Sequence, residues 1–169
     1  MKFPVDPATL SKDAFVKTYG GVYEHSAWIA EQAFDQGLKG VETVDGLAAT
    51  LGDIIENAGE EAQLTLLRAH PDLAGKLAKS GALTAESTSE QAGAGLDQCT
   101  EEEFAEFTDL NNRYKEKFGF PFILAVKGRG RQEILENFRS RIDNTRAQEF
   151  REALDQVHQI ARLRLEGMC

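Results

Sequence analysis

The sequence predicts an all-α protein, a single-domain helical bundle of about seven to nine helices with one extended, buried segment near residues 120–127. Three observations predict it: apolar residues recur at helical spacing through most of the chain, strict apolar–polar alternation over strand lengths is nearly absent, and Ser/Thr-x-x-Glu/Gln helix-start signatures precede the later runs.

Taken in order, residues 11–70 carry Phe15, Val16 and Tyr19, then Val22, Trp28, Ile29 and Phe34, then Leu47, Leu51, Ile54 and Ile55, then Leu64, Leu66 and Leu67. Gly37, Gly40 and Gly59 divide them into several short helices. The last of these must stop at Ala69-His70-Pro71-Asp72-Leu73-Ala74-Gly75-Lys76, because proline cannot continue a helix and restricts the residue before it. Ser80 to Gly95 is less hydrophobic, and its Ser87-Thr88-Ser89-Glu90 has capping-box spacing, so a short polar helix is expected to begin there. Thr100 with Glu103 opens a longer run through Phe104, Phe107, Leu110 and Tyr114 to Phe118-Gly119. Phe120 to Gly128 is too short and too uniformly apolar for a surface helix and is read as extended and buried. Two helices complete the chain, over about 131–142 and about 145–166, the second started by Asn144 or by Thr145 with Gln148.

Composition narrows the function. With 41% hydrophobic residues, 169 residues can bury a genuine core and make one domain. Twenty-eight acidic against 19 basic residues give a net charge of −9, which disfavours nucleic acid and anionic lipid as partners. No run of about 18 apolar residues occurs, the start Met1-Lys2-Phe3-Pro4 does not resemble a signal peptide, and Cys99 and Cys169 lack disulfide or metal spacing. A cytoplasmic protein is expected.

The candidate chemistry is sparse. His70 shares a helical stripe with Leu66 and Leu67, so its ring should be partly buried; an imidazole there suits proton transfer near neutral pH, and equally a structural hydrogen bond to a carbonyl. Ser87 and Glu90 fit a helix cap, yet a helix start can also hold an anion, so the two uses are compatible. Gln91 beside them is uninformative alone. On the last helix the apolar stripe Phe150, Leu154, Val157, Ala161 continues to Arg164, which therefore points inward and requires an anionic partner from protein or ligand. The backbone of residues 120–127, lying outside a sheet, needs hydrogen-bond partners that a polar heterocycle could supply. His25 lacks metal-ligand spacing, and His158 falls off its helix's apolar stripe, facing solvent. No Gly-rich phosphate loop, nucleophile elbow or metal motif appears, and no cofactor is indicated.

AHPDLAGK at 69–76, LTAESTSEQAGAGLD at 83–97, FGFPFILAVKG at 118–128 and IARLRL at 160–165 together resemble the 2-oxo-4-hydroxy-4-carboxy-5-ureidoimidazoline (OHCU) decarboxylase family of urate degradation, over essentially the whole of residues 1–169. The resemblance implies an all-α, cofactor-free homodimer that converts OHCU to (S)-allantoin with loss of CO2. It implies that His70 is the catalytic proton donor and that Glu90 acts with it. Pro71, Ser87 and Gln91 would contact substrate, Phe122, Ile123, Leu124, Ala125 and Val126 would bind the heterocycle largely through their backbone, and Arg164 would meet its anionic edge. Whether His70 or Glu90 makes the final proton transfer stays open at this level. So does a non-catalytic reading in which these residues only cap helices. Ala27 stands where the family often has proline after His-Ser, outside the catalytic set.

Overall fold

The computed structural model describes residues 1–75 and 83–169, so Lys76 and the first residues of the Ser80–Gly95 stretch lie outside the described residues. The described residues form eight α-helices and two short 3-10 helices. The only strand-like pairing among them is an isolated antiparallel bridge between Lys2 and Thr43. The chain divides into two compact units, residues 1–69 with 157–169, and residues 70–156.

The first unit contains α1 (Lys12–Tyr19), α2 (Trp28–Gln36), α3 (Val44–Glu56), α4 (Glu60–Ala69) and the last turns of α8 (Arg146–Glu166). Ser11 and Thr43 cap α1 and α3 by accepting the Ala14 and Gly46 N–H groups. Of the expected apolar positions, Phe15, Tyr19, Val22, Ile29, Leu47, Leu51, Ile54, Ile55, Leu66 and Leu67 are buried and form the core, while Val16, Trp28, Phe34 and Leu64 are half-buried at its edge. The N-terminal residues run beside the start of α3, Phe3 N–H donating to the Glu42 carbonyl and Val44 N–H to that of Met1. Helix α4 ends at Ala69, two residues before Pro71, as proline requires.

The second unit contains α5 (Ala85–Gly93), α6 (Glu101–Phe118), α7 (Arg131–Arg141) and the first part of α8. The Thr100–Glu103 capping box is present in both directions at 3.1 Å, and Gly119, at φ +80°, closes α6 in the left-handed conformation that glycine adopts without steric cost. Thr145 starts α8 by reciprocal bonds with Gln148, whereas Asn144 turns to Glu149. Residues 121–126 belong to no helix or strand, and Phe120 through Val126 are all buried, as expected. Their aromatic rings pack with α6 and α7 around Tyr114: its ring centroid lies 5.5 Å from that of Phe122 and 5.8 Å from that of Phe138.

One local expectation is corrected. Helix α5 starts at Ala85, and its cap is Thr84, whose hydroxyl accepts the Ser87 N–H at 3.3 Å. Thr84 and Ser87 are both cap-forming residues three apart, and the chain uses the first. Ser87 therefore lies inside the first turn, as the residue whose N–H is capped, and Glu90 a turn further on, so the Ser87–Glu90 pair does not start the helix.

Candidate active site

His70 follows the last residue of α4 and is 8% exposed, in line with its stripe. The loop after it is fixed from several sides within the second unit. Gln91, buried on α5, accepts the Ala74 N–H at 3.0 Å and donates to the Asp72 carbonyl at 3.2 Å. Asn111, buried on α6, donates to the Leu73 carbonyl at 3.0 Å, and Lys115 pairs with Asp72 at 2.7 Å. Ala74 has φ +51°, a conformation costly for a residue with a Cβ, and these bonds hold it there.

Ser87, Glu90 and Gln91 share one side of α5 by their i, i+3, i+4 spacing. Ser87 and Gln91 are buried, and Glu90 and Pro71 are half-buried. The Gln91 bonds thus bring the α5 face bearing Ser87 and Glu90 to the loop that follows His70. Both ends of the Gln91 amide are engaged by that loop, which makes Gln91 a loop anchor in this structure.

Segment 122–126 receives part of its hydrogen bonding from side chains that sequence reasoning missed. Arg141 donates to the Ile123 carbonyl at 2.7 Å, Gln156 accepts the Ala125 N–H at 2.9 Å, and Arg129 Nε donates to the Ala125 carbonyl at 3.1 Å. The Val126 carbonyl accepts the Arg129 N–H. The N–H groups of Ile123, Leu124 and Val126 find no acceptor among the described residues, although these residues are buried. Buried main-chain donors are ordinarily satisfied, so this segment presents amides suited to a ligand's acceptors.

Behind the segment lies a polar cluster in the core. Glu149, 0% exposed, accepts from Tyr114 Oη at 2.5 Å and from Arg141 Nε at 2.9 Å through one oxygen, and from Asn144 at 3.0 Å through the other. Burial, and next the bond to Glu149, push the Tyr114 phenol far above its ordinary pKa. A visible signal existed for two of the missed residues. Arg141 continues the apolar stripe Ile134, Phe138 of α7, and Asn111 stands on the stripe Phe107, Tyr114, Phe118 of α6.

Arg164 belongs to the first unit. Its side chain is inward-facing as expected, 6% exposed, and its anionic partner is Glu24 of the same unit, 2.8 Å away and 2% exposed. Arg162 and Arg151 point outward to Asp45 and Asp155. His25 is exposed. His158 departs from its expected solvent-facing position: it is half-buried, with Tyr23 Oη at 2.7 Å from Nδ1 and Glu56 at 2.9 Å from Nε2. Cys99 donates to the Leu96 carbonyl, and its thiol is pushed up by burial and then by Glu103, which keeps it protonated.

The chain is similar to known proteins over most of its length. The chain is 42% identical over 156 residues to 2-oxo-4-hydroxy-4-carboxy-5-ureidoimidazoline decarboxylase of Haloferax volcanii, covering 92% of this chain and 89% of that protein. It is 41% identical over 157 residues to the protein of the same name from Halalkalicoccus jeotgali, covering 93% and 86%. Among solved structures, a crystal structure of (S)-allantoin synthase superimposes with a TM-score of 0.77 at 33% identity, over 96% of this chain and 52% of that one, so the chain spans about half of that structure. The family model described as OHCU decarboxylase matches residues 8–166, and the chain belongs to the OHCU decarboxylase family.

Proposed function

We propose that residues 1–169 act as one cofactor-independent carboxy-lyase domain that converts OHCU to (S)-allantoin in urate degradation. The observation that carries the reading is the placement of His70: a buried imidazole at a helix end, whose following loop is hydrogen-bonded to the helix that carries Ser87 and Glu90. Family membership over residues 8–166 supports the substrate.

The chemistry fits these residue types. Breaking the bond to the carboxylate releases CO2 and passes an electron pair into the conjugated ring, giving an enolate-like intermediate that needs no external electron sink. The protein must hold the ring so that the carboxylate stands out of its plane, stabilise the developing charge, and deliver one proton to one face. His70 supplies that proton, and Glu90 holds the substrate hydroxyl or sets the charge of the imidazole. Pro71, Ser87 and Gln91 contact the substrate, Gln91 also holding the loop that follows His70. Residues Phe122, Ile123, Leu124, Ala125 and Val126 bind the heterocycle through main-chain groups; because Ala125 N–H is held by Gln156, the donors are those of its neighbours. Arg164 is assigned to the substrate's anionic edge on the strength of the resemblance.

Among the described residues no helix is long and apolar enough to cross a membrane. The cytoplasmic assignment is supported by composition, and the homodimer by the family resemblance alone. The experiment is direct. Freshly generated OHCU should lose its absorbance faster with the wild-type protein, with circular dichroism reporting accumulation of (S)-allantoin. Decay at the uncatalysed rate to racemic product would reject the function.

A further inference from the structure

We propose that Arg141 and Glu149 are positioning residues for this reaction, a buried ion pair that sets the course of the backbone at Ile123 and thereby the orientation of the bound heterocycle. The proposal rests on the reading of 122–126 as the substrate-holding segment.

The pair is built for geometry more than for stability. Arg141 donates from Nη1 to the Ile123 carbonyl at 2.7 Å and from Nε to Glu149 at 2.9 Å, so a single rigid guanidinium plane links the segment to α8. Its carbon centre also lies 4.4 Å from the centroid of the Phe122 ring, and that ring stacks on Phe138 with centroids 3.9 Å apart and planes 8° from parallel. Glu149 is fixed in turn by Tyr114 and Asn144, leaving its carboxylate little freedom to swing. Burying both charges carries a desolvation cost that apolar residues of similar size would avoid, and such replacements are often neutral or stabilising. A core that keeps the pair despite this cost, with one guanidinium nitrogen on a carbonyl of the substrate-holding segment, gains a defined backbone position.

The decisive variant is therefore Arg141→Met/Glu149→Leu, which removes both charges together and leaves no uncompensated ion. It should stay folded, the unpaired Ile123 carbonyl and Tyr114 hydroxyl offsetting what removal of the two buried charges gains, yet raise KM for OHCU about tenfold or more and lower the enantiomeric excess of the allantoin formed, because a ring held loosely can be protonated on either face. A merely structural role would change the melting temperature and leave the enantiomeric excess intact. If the double variant does not fold, Tyr114→Phe, which removes only the hydroxyl that fixes Glu149, should raise KM about threefold in the same assay. Wild-type KM and a single enantiomer in the folded double variant, or in Tyr114→Phe where the double variant does not fold, would overturn the proposal while leaving the decarboxylase reading intact. A wild-type protein inactive on OHCU would remove both.

Discussion

Gln91 and Ala74 are joined by a hydrogen bond of 3.0 Å between a buried side-chain amide and a main-chain N–H, and Ala74 holds a positive φ of 51° where it receives it. That bond fixes a strained loop four residues after His70, the proposed proton donor. Replacing Gln91 with Leu leaves the buried Ala74 N–H without an acceptor and the Asp72 carbonyl without its donor, a loss of about 2 kcal/mol. Thermal and urea unfolding should show that loss. Turnover should fall by more than the unfolded fraction accounts for, since the loop carrying His70 and Pro71 relaxes; a variant with reduced stability but unchanged kcat in the folded fraction would separate the loop from the chemistry.

The Arg164–Glu24 pair predicts a pronounced asymmetry between single and double substitutions. With side chains 6% and 2% exposed, removal of either charge takes from the other the buried opposite charge it faces at 2.8 Å, so Glu24→Gln and Arg164→Met should each cost about 3 kcal/mol. The double variant Glu24→Leu/Arg164→Met should recover most of that stability. Denaturant melts of the four proteins form the cycle, and additive losses would contradict a tightly coupled buried pair.

Alkaline pH probes the two buried phenols. Tyr23 is pushed far above its ordinary pKa by burial and then by Glu56, and Tyr114 by burial and then by its bond to Glu149. In the unfolded chain both would ionise near pH 10. The folded protein thus keeps protons that the unfolded chain loses, so this contribution is fully present below about pH 10 and declines as pH rises towards the folded pKa, by up to about 1.4 kcal/mol per pH unit for each tyrosine. Urea unfolding between pH 8 and 11 should show a plateau and then a fall. In Tyr114→Phe the fall should be shallower, and an identical slope would show that the phenol does not titrate with unfolding.

Much of this molecule was legible because its signals are local. The Thr100–Glu103 and Thr145–Gln148 starts, the stop before Pro71, the inward Arg164 and the buried segment through Val126 all follow from residues within a few positions of one another. The start of α5 was misplaced for the same reason, since Thr84 and Ser87 offer equivalent local chemistry and only the folded chain selects between them. Arg141 on α7 and Asn111 on α6 are legible by the same stripe spacing that marks Arg164. Partners were not legible: Glu24 lies 140 residues from Arg164, and Gln91 lies 17 from Ala74, distances that no periodicity encodes. The part Gln91 plays in holding the loop is of this kind.

The central claim is that His70 delivers the single proton that follows CO2 loss. Its most direct test is circular dichroism of the allantoin formed from freshly generated OHCU by the wild-type protein and by His70→Asn, with the fold of both verified by thermal melting. The wild type should give (S)-allantoin, and a folded His70→Asn should show a turnover reduced by about 100-fold or more with loss of the single enantiomer. Near-normal turnover to a single enantiomer by His70→Asn would contradict it.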